Sequence, residues 1–328
     1  MVHETILVVG GAGYIGSHTV KYLLEKGYNI IVYDSLVNGH EELIDQSAKF
    51  YKGCLSDEIM LEKVFSENKI DAVIDFAGFI EAGESMKRPL MFFENNVGNC
   101  IKLLRIMLKF NVNKIIFSST AAVYGVPKKV PITEDDEKKP INYYGETKLM
   151  FEQVLNAART EGLKSIKLRY FNAAGAWYNI GEWHNPETHL IPLVINTALG
   201  LRESIKIFGV DYDTKDGTCV RDYVHVVDLA KAHELALRGL LNGIEGEFNV
   251  GTGKGYSVKE VIDTVKRVTG KDFKIEISER REGDPAILVA SPEKFFKTFG
   301  WMPEKDLNEI VSSAWSWHKT QLETFKKK

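Results

Sequence analysis

The chain contains 328 residues, with 42 lysines and arginines against 45 aspartates and glutamates, which gives a formal net charge of −3. A near-neutral protein has no long-range attraction for nucleic acid or an anionic membrane, so we expect neither as a partner. Its three cysteines are widely spaced and no histidines cluster at metal-ligand spacing. No apolar run approaches the ~20 residues of a membrane span. We expect a cytoplasmic protein with reduced thiols and no metal site.

Short apolar runs alternate with helical patterns along the chain. Because such runs favour a parallel sheet covered on both faces, the pattern predicts a doubly wound α/β fold. In the first part, strands are predicted at 6–9, 30–33, 72–76, 114–118 and 166–171, and helices at 14–26, 57–67, 89–109 and 142–161. Beyond it, helices are predicted at 190–200, 227–241 and 257–269, and strands at 204–208, 248–251 and 274–278.

A glycine-rich turn follows the first predicted strand. Gly10, Gly13 and Gly16 are spaced as GxxGxxG where a strand passes into a helix. Glycines there permit a tight turn and close approach of a pyrophosphate, which the helix N-terminus can bind. Asp34, at the end of the second predicted strand, can bind an adenosine ribose and would repel a 2′-phosphate, so NAD is favoured over NADP. The alternative is a glycine turn capped by a surface aspartate.

The segment NYYGETKLM places Tyr144 four residues before Lys148 on a predicted helix. Residues four apart share a helix face, whereas Tyr143 points about 100° away. An ammonium beside a phenol should lower the phenol pKa, as a general base requires. Thr120 follows a predicted strand, at the sheet edge where α/β active sites lie. The alternatives are a solvated helix face for the pair and a turn cap for Thr120.

These motifs, in this order, resemble the extended branch of the short-chain dehydrogenase/reductase superfamily, and within it the UDP-glucose 4-epimerase family. The matching segments cover essentially the whole chain: GGAGYIGSHT, DSLVN, FAG, GES, SSTAAVYG, YYGETK, RYFN, HLIP, FG, DGT, VRDYVHV and RREGD. The resemblance implies a Rossmann-like fold and an NAD-dependent isomerase that inverts C4 of a UDP-hexose. Tyr144 would be the base, Lys148 its electrostatic partner and Thr120 the residue that binds the 4′-oxygen.

The resemblance also implies binding residues and domains. NAD would contact Gly10, Gly13, Tyr14, Ile15, Gly16, Asp34, Asn38, Phe76, Ala77, Gly78, Asn95, Ser118, Tyr144, Lys148 and Tyr170. The UDP-sugar would contact Thr120, Tyr144, Asn172, His189, Leu190, Lys206, Phe208, Arg221, Arg281 and Asp284. Residues 1–172 would form the NAD-binding domain, to which later segments return, and 173–328 a smaller α/β domain for the UDP-sugar. A homodimer would form through the helices near 89–109 and 142–161.

Some of these residues have alternative interpretations, and others depart from the family pattern. Either arginine could instead form a surface ion pair, with Asp222 or Asp284, and the apolar residues could belong to the core. Cys54 stands where the family usually has an aspartate for the adenine, and Ile80 where many members have a lysine. Leu288 lies near the position whose bulk decides whether N-acetylated hexoses enter.

Other activities remain as alternatives. A UDP-N-acetylhexosamine 4-epimerase, or another nucleotide-sugar enzyme of the superfamily, would share most of these motifs. A 4,6-dehydratase needs an acid and a base beside the threonine, where this chain has Ala121 and Ala122. A UDP-glucuronate decarboxylase needs groups for the extra carboxylate, and we identify none. A non-catalytic NAD-binding sensor would be expected to lose Tyr144 or Lys148, and both are present.

Overall fold

The computed structural model describes residues 4–281 and 284–325, and within these ranges a seven-stranded parallel sheet carries helices on both faces. Up to residue 174 the elements are β1 (Thr5–Val9), α1 (Tyr14–Glu25), β2 (Asn29–Asp34), β3 (Lys49–Lys52), α2 (Glu58–Glu67), β4 (Ala72–Asp75), α3 (Ala82–Lys87), α4 (Pro89–Phe93), α5 (Asn99–Lys109), β5 (Lys114–Thr120), α6 (Tyr143–Ala157), β6 (Lys164–Tyr170) and β7 (Asn172–Ala174). They are followed by α7 (Leu190–Ala198), β8 (Ser204–Phe208), β9 (Val220–His225), α8 (Val226–Leu241), β10 (Gly246–Val250), β11 (Gly255–Ser257), α9 (Val258–Thr269), β12 (Lys274–Ser278), β13 (Ile287–Leu288), α10 (Glu293–Phe299) and α11 (Leu307–Phe325).

The central sheet is apolar on both faces because helices cover both. Along β1, Ile6 and Val8 pack in one core cluster with residues of α1 and α8. Leu7 and Val9 alternate with them and pack in a second cluster with residues of α2, α5 and α6. Strand side chains alternate between faces, so a strand buried on both sides reads as a continuous apolar run. The predicted doubly wound α/β fold is therefore confirmed.

The strand order β10-β6-β5-β4-β1-β2-β3 positions the site. The chain leaves β1 toward β2 and β3, then returns to β4 on the other side of β1. At such a switch point the loops after the two neighbouring strands diverge and leave a crevice beyond the carboxyl ends of the strands. The turn that begins at Gly10 follows β1, and Phe76 follows β4. β5 ends at Thr120, so three predicted site segments meet at this edge.

Residues after β7 contribute to both parts of the molecule. β10 pairs with β6 and extends the central sheet, while α8 packs against α1. The described residues also form a smaller sheet of β7, β9, β11 and β13, and β8 pairs with β12. Helices α7, α9 and α11 pack together in a separate apolar cluster. Within the described residues, no helix is long and apolar enough to cross a bilayer.

Several predicted boundaries are wrong. The helix predicted at 89–109 is divided into α4 and α5 by a π-helical turn at Glu94–Gly98. Within that turn the buried Asn96 side chain hydrogen-bonds the backbone N–H and C=O of Phe79. The strand predicted to end at 118 continues to Thr120. Strands β3 and β9 and helices α10 and α11 lie outside the predicted elements.

Candidate active site

A cavity of about 430 Å³ lies over the carboxyl ends of the central strands. All the residues predicted to contact NAD line it: Gly10, Gly13, Tyr14, Ile15, Gly16, Asp34, Asn38, Phe76, Ala77, Gly78, Asn95, Ser118, Tyr144, Lys148 and Tyr170. Tyr144 was predicted to contact the UDP-sugar as well, and four further residues of that predicted set line the cavity, namely Thr120, Asn172, His189 and Leu190. The fold therefore brings distant motifs to one surface.

The turn between β1 and α1 has the geometry of a phosphate cradle. Gly10 has φ +74°, and a Cβ there would lie 2.8 Å from the backbone nitrogen of Ala77. A Cβ on Gly16 would lie 2.3 Å from the carbonyl oxygen of Gly10. Gly13 precedes α1 and offers no side-chain oxygen to its first amides. These amides line the cavity and are suited to an anionic group such as the pyrophosphate of NAD.

Asp34 ends β2 at the wall of the same cavity. Its carboxylate accepts hydrogen bonds from the backbone N–H groups of Ala12, at 2.9 Å, and Leu36, at 2.8 Å. Burial raises the pKa of Asp34, and these hydrogen bonds oppose that effect. The side chain is thus a fixed acceptor that can still bind ribose hydroxyls. The residues present fit NAD and disfavour a phosphate on the ribose.

Helix α6 carries the predicted acid/base pair on its inward face. The Asn142 side chain caps the helix by accepting a hydrogen bond from the N–H of Gly145 at 2.8 Å. Lys148 is 3% exposed, and its ammonium donates to the carbonyl oxygen of Ser118 at 2.9 Å. Tyr143 is 40% exposed, as expected for the other helix face. The cavity therefore contains Tyr144 and Lys148 but not Tyr143.

The expected lowering of the Tyr144 pKa by Lys148 is wrong for this structure. Burial raises the pKa of Tyr144, and a hydrogen bond with the Thr120 side chain is the opposing effect. Burial lowers the pKa of Lys148, while the charge of Asp75 opposes that effect. The charge of Lys148 interacts with Asp75. The rise in the Tyr144 pKa caused by burial is larger than any stabilisation of its phenolate by Lys148. Thr120, rather than Lys148, is the side chain that favours ionisation of Tyr144 here.

Asp75, the last residue of β4, lies beneath this pair. It is fully buried, and its Oδ1 accepts a hydrogen bond from the N–H of Ala77 at 3.0 Å. Its Oδ2 has no hydrogen-bond partner among the residues that the structure describes. Burial raises the pKa of Asp75 to about 6, against the effect of the Lys148 charge. Asp75 is therefore a buried counter-ion whose charge depends on Lys148.

The other predicted UDP-sugar residues form a second group outside the cavity lining. Arg221 on β9 is ion-paired with Asp284, which is 63 positions away in sequence, and not with the neighbouring Asp222. The Arg281 guanidinium lies 3.9 Å from the centroid of the Phe208 ring. Lys206 is exposed on β8. Arg221 shares a strand face with Tyr223, which lines the cavity, so Arg221 lies about 7 Å farther along the same strand.

His189 lies at the rim of the cavity and is paired with carboxylates. Its Nδ1 lies 2.9 Å from Glu182 Oε1 and 3.3 Å from Glu187 Oε1. Burial lowers the pKa of His189, but the two carboxylates outweigh burial and raise it to about 10. His189 occupies the N-cap position of α7 and therefore directly precedes Leu190, which lines the cavity wall.

The model of the NAD dependent epimerase/dehydratase family matches residues 6–251. The chain belongs to this family. A UDP-glucose 4-epimerase of Lacticaseibacillus casei is 49% identical over 326 residues, which is 98% of each chain. One of Halalkalibacterium halodurans is 51% identical over 319 residues, covering 96% of this chain and 95% of that protein.

Solved structures agree with this membership. The structure of UDP-glucose 4-epimerase from Bifidobacterium longum, in complex with NAD⁺ and UDP, has a TM-score of 0.92 and 40% identity. The match covers 97% of this chain and 99% of the Bifidobacterium longum chain. The predicted family and the Rossmann-like fold are thus confirmed for this NAD-dependent family member.

Two features of this family member were not predicted from the sequence. Asp75 could have been noticed as the one acidic residue in the apolar strand AVID. Glu182, His184, Glu187 and His189 converge in the segment before α7, although no metal-ligand pattern was recognised there. That segment lacks secondary-structure periodicity, so no local pattern indicates which of its side chains face one another.

Proposed function

We propose that the protein interconverts UDP-galactose and UDP-glucose by inverting C4 of the hexose. The observation that carries this proposal is that Tyr144, Thr120 and Lys148 line one cavity together with the glycine turn, where the Thr120 side chain opposes the rise in the Tyr144 pKa. A phenol and a hydroxyl in the same cavity can bind one sugar hydroxyl and can accept and return its proton. The near-full-length similarity to UDP-glucose 4-epimerases supports the choice of substrate.

In the proposed mechanism, Tyr144 as phenolate removes the proton of the 4′-hydroxyl, and Thr120 holds the 4′-oxygen. Bound NAD would accept a hydride from C4 and return it, so the net reaction is redox-neutral. The sugar, as its 4-keto form, would turn within the cavity between these events, which exposes its opposite face. Tyr144 then returns the proton to the oxygen. Lys148, whose ammonium donates a hydrogen bond to the Ser118 carbonyl oxygen, supplies a positive charge in the same cavity.

Inversion requires a UDP that is held firmly and a hexose that can turn. We assign the UDP to Asn172, His189 and Leu190 at the cavity wall and to the group beyond it on β9. In that group Arg221 and Arg281 would bind the diphosphate, because planar guanidinium groups match phosphate oxygens. Asp284 would bind the uridine ribose, and Lys206 and Phe208 would line the outer pocket. Residues 1–172, with α8 and β10, would hold NAD, and the rest of 173–328 the UDP-sugar.

Turnover of UDP-galactose tests the proposed reaction directly. We expect UDP-glucose to accumulate until equilibrium, as measured by NMR of the anomeric protons, without net formation of NADH. Recovery of a 4-keto-6-deoxy sugar would instead indicate a dehydratase. Bound NAD with no conversion would indicate the sensor alternative. Parallel assays with UDP-N-acetylgalactosamine determine whether the N-acetylhexosamine activity is present. Leu288 is relevant to this choice of substrate, because it packs against a cluster that includes Phe171 of the cavity wall.

Replacing Asp75 by asparagine is expected to shift the alkaline limb of the kcat–pH profile to lower pH. The Asp75 charge opposes the lowering of the Lys148 pKa by burial. Removing that charge therefore lowers the pKa further, and Lys148 loses its proton at a lower pH. Steady-state kcat measured across the pH range checks this expectation. Asp57→Asn, at the exposed start of α2, is the control, and an unshifted Asp75→Asn profile would contradict the coupling.

We also propose a homodimer in the cytoplasm. Leu90, Ile101, Tyr143 and Met150 expose apolar surface on α4, α5 and α6, the helices of the predicted interface. The free cysteines are compatible with a reducing compartment. Sedimentation velocity tests the assembly, and a monomer mass at micromolar concentration would refute it.

A further inference from the structure

Four potential metal ligands converge in the segment between β7 and α7. They are Glu182, His184, Glu187 and His189, and one ligand atom from each lies within 4.8 Å of all the others. Glu182 is 5% exposed, and the neighbouring His184 side chain is also largely buried. The cluster is therefore formed by the folded segment and is not a set of mobile surface side chains.

The histidine–carboxylate distances within the cluster lie near the edge length of a tetrahedral metal site, with Glu187 presenting a different oxygen to each histidine. His189 Nδ1 lies 2.9 Å from Glu182 Oε1 and 3.3 Å from Glu187 Oε1. His184 Nδ1 lies 3.4 Å from Glu182 Oε1 and 3.8 Å from Glu187 Oε2. Zinc bonds of about 2.0–2.2 Å place neighbouring tetrahedral ligands about 3.3 Å apart. A cation at the centre could thus be reached by all four side chains with small adjustments.

Hydrogen bonds do not account for the arrangement of His184. Its Nδ1 is buried and has no hydrogen-bond partner among the residues that the structure describes. The atom nevertheless faces two carboxylates. A buried polar atom without a hydrogen bond is costly, and a cation between this nitrogen and the two carboxylates would satisfy all three groups.

We propose that Glu182, His184, Glu187 and His189 bind one divalent transition-metal ion, for which Zn²⁺ is the best match. Imidazole and carboxylate ligands in tetrahedral geometry suit zinc, and the two carboxylates balance its charge once the ion has displaced the His189 proton. Four protein ligands leave no open position, so the site is structural. The proposal does not depend on the proposed epimerase reaction.

The location of the site indicates what the metal stabilises. The His184 ring lies edge-on to Tyr14, with ring centroids 6.2 Å apart, and Tyr14 begins α1 beside the glycine turn. His189 caps α7, whose first residue, Leu190, lines the cavity. The ion would therefore tie the long segment before α7 to two helix N-termini at the cavity. Coordination through His189 Nδ1 leaves its Nε2 free for another contact.

Metal content provides the first test. Tag-free protein is treated with a chelator, reloaded with Zn²⁺, desalted and analysed by inductively coupled plasma mass spectrometry. We expect one zinc per chain in the wild type and almost none in His184→Ala. Cys54→Ser, which removes a partly exposed thiol in the cavity, should keep its zinc. Failure of the chelator-treated wild type to take up zinc, or equal loading of His184→Ala, would overturn the proposal.

Thermal unfolding and a conservative variant provide the second test. Added Zn²⁺ should raise the Tm of the chelator-treated wild type, because a ligand that binds the folded state stabilises it. Glu187→Gln keeps the size of the side chain and should bind zinc at least about tenfold more weakly in calorimetric titration. Should His184→Ala not fold, this variant decides the matter: an unchanged zinc affinity in Glu187→Gln would exclude Glu187 as a ligand and refute the four-ligand site.

Discussion

Replacing Tyr144 by phenylalanine is expected to lower kcat for UDP-galactose by about 10²–10⁴-fold, the usual contribution of a general base. The phenylalanine ring fills nearly the same volume, so the Kd for UDP should change little. The phenol oxygen is the ionisable group that shares the cavity with Thr120 and Lys148, and its removal leaves no side chain in that position to accept the 4′-proton. The loss therefore falls on kcat rather than on binding of UDP.

The matched control for this variant is Tyr143→Phe. Tyr143 is 40% exposed and its ring contacts Phe93, with centroids 6.1 Å apart, outside the cavity lining. Its turnover should stay close to the wild-type value. Steady-state kinetics gives kcat for both variants, and calorimetry gives the Kd for UDP. Near-normal turnover in Tyr144→Phe would show that another group accepts the proton.

The central part of this fold could be predicted from the sequence because its signals are local. Ile6 to Val9 form a continuous apolar run, as a strand buried on both faces must. The separation of Tyr144 from Tyr143 also follows from helix geometry, since residues four apart share a face. The glycine turn, Asp34 and Thr120 could be located because each adjoins a predictable strand end. Each of these features needs only a few neighbouring residues.

Features that depend on tertiary contacts could not be predicted in the same way. Asp75 meets the charge of Lys148 only after two strands and a helix pack together, and the sign of the Tyr144 pKa shift depends on burial. Arg221 pairs with Asp284 across 63 positions in sequence. The π-helical turn at Glu94–Gly98 is also a tertiary effect, because Asn96 within it bonds the backbone of a separate segment. Local periodicity carries no information about such contacts.

A buried ion pair holds α6 against the central sheet. Glu152 lies on the same face of α6 as Tyr144 and Lys148, at successive intervals of four residues. Its carboxylate accepts two hydrogen bonds from Arg169 on β6, at 2.9 and 2.5 Å, and one from Ser119 on β5, at 2.5 Å. Both charged side chains are almost fully buried. The pair therefore joins α6 to the two strands whose ends form the site.

Replacing Arg169 by methionine is expected to lower the free energy of unfolding by about 3–5 kcal/mol, because it leaves the Glu152 carboxylate buried without its partner. The double variant Glu152→Met with Arg169→Met removes both charges and should be more stable than the single variant. Urea unfolding followed by circular dichroism measures each change. Lys305→Met, at the exposed pair with Glu309, is the control and should cost less than about 1 kcal/mol.

The Arg169→Met variant should also have a lower kcat. A shift of α6 against β5 moves Tyr144 relative to Thr120, and small displacements of reacting groups reduce rates strongly. The double variant should recover part of the stability and less of the activity, since methionine packing does not reproduce the directional hydrogen bonds to Arg169 and Ser119. Equal recovery of both properties would mean that the ion pair stabilises the fold without positioning the helix. A loss below about 1 kcal/mol in Arg169→Met would mean that Glu152 is neutral or reaches solvent in the folded protein.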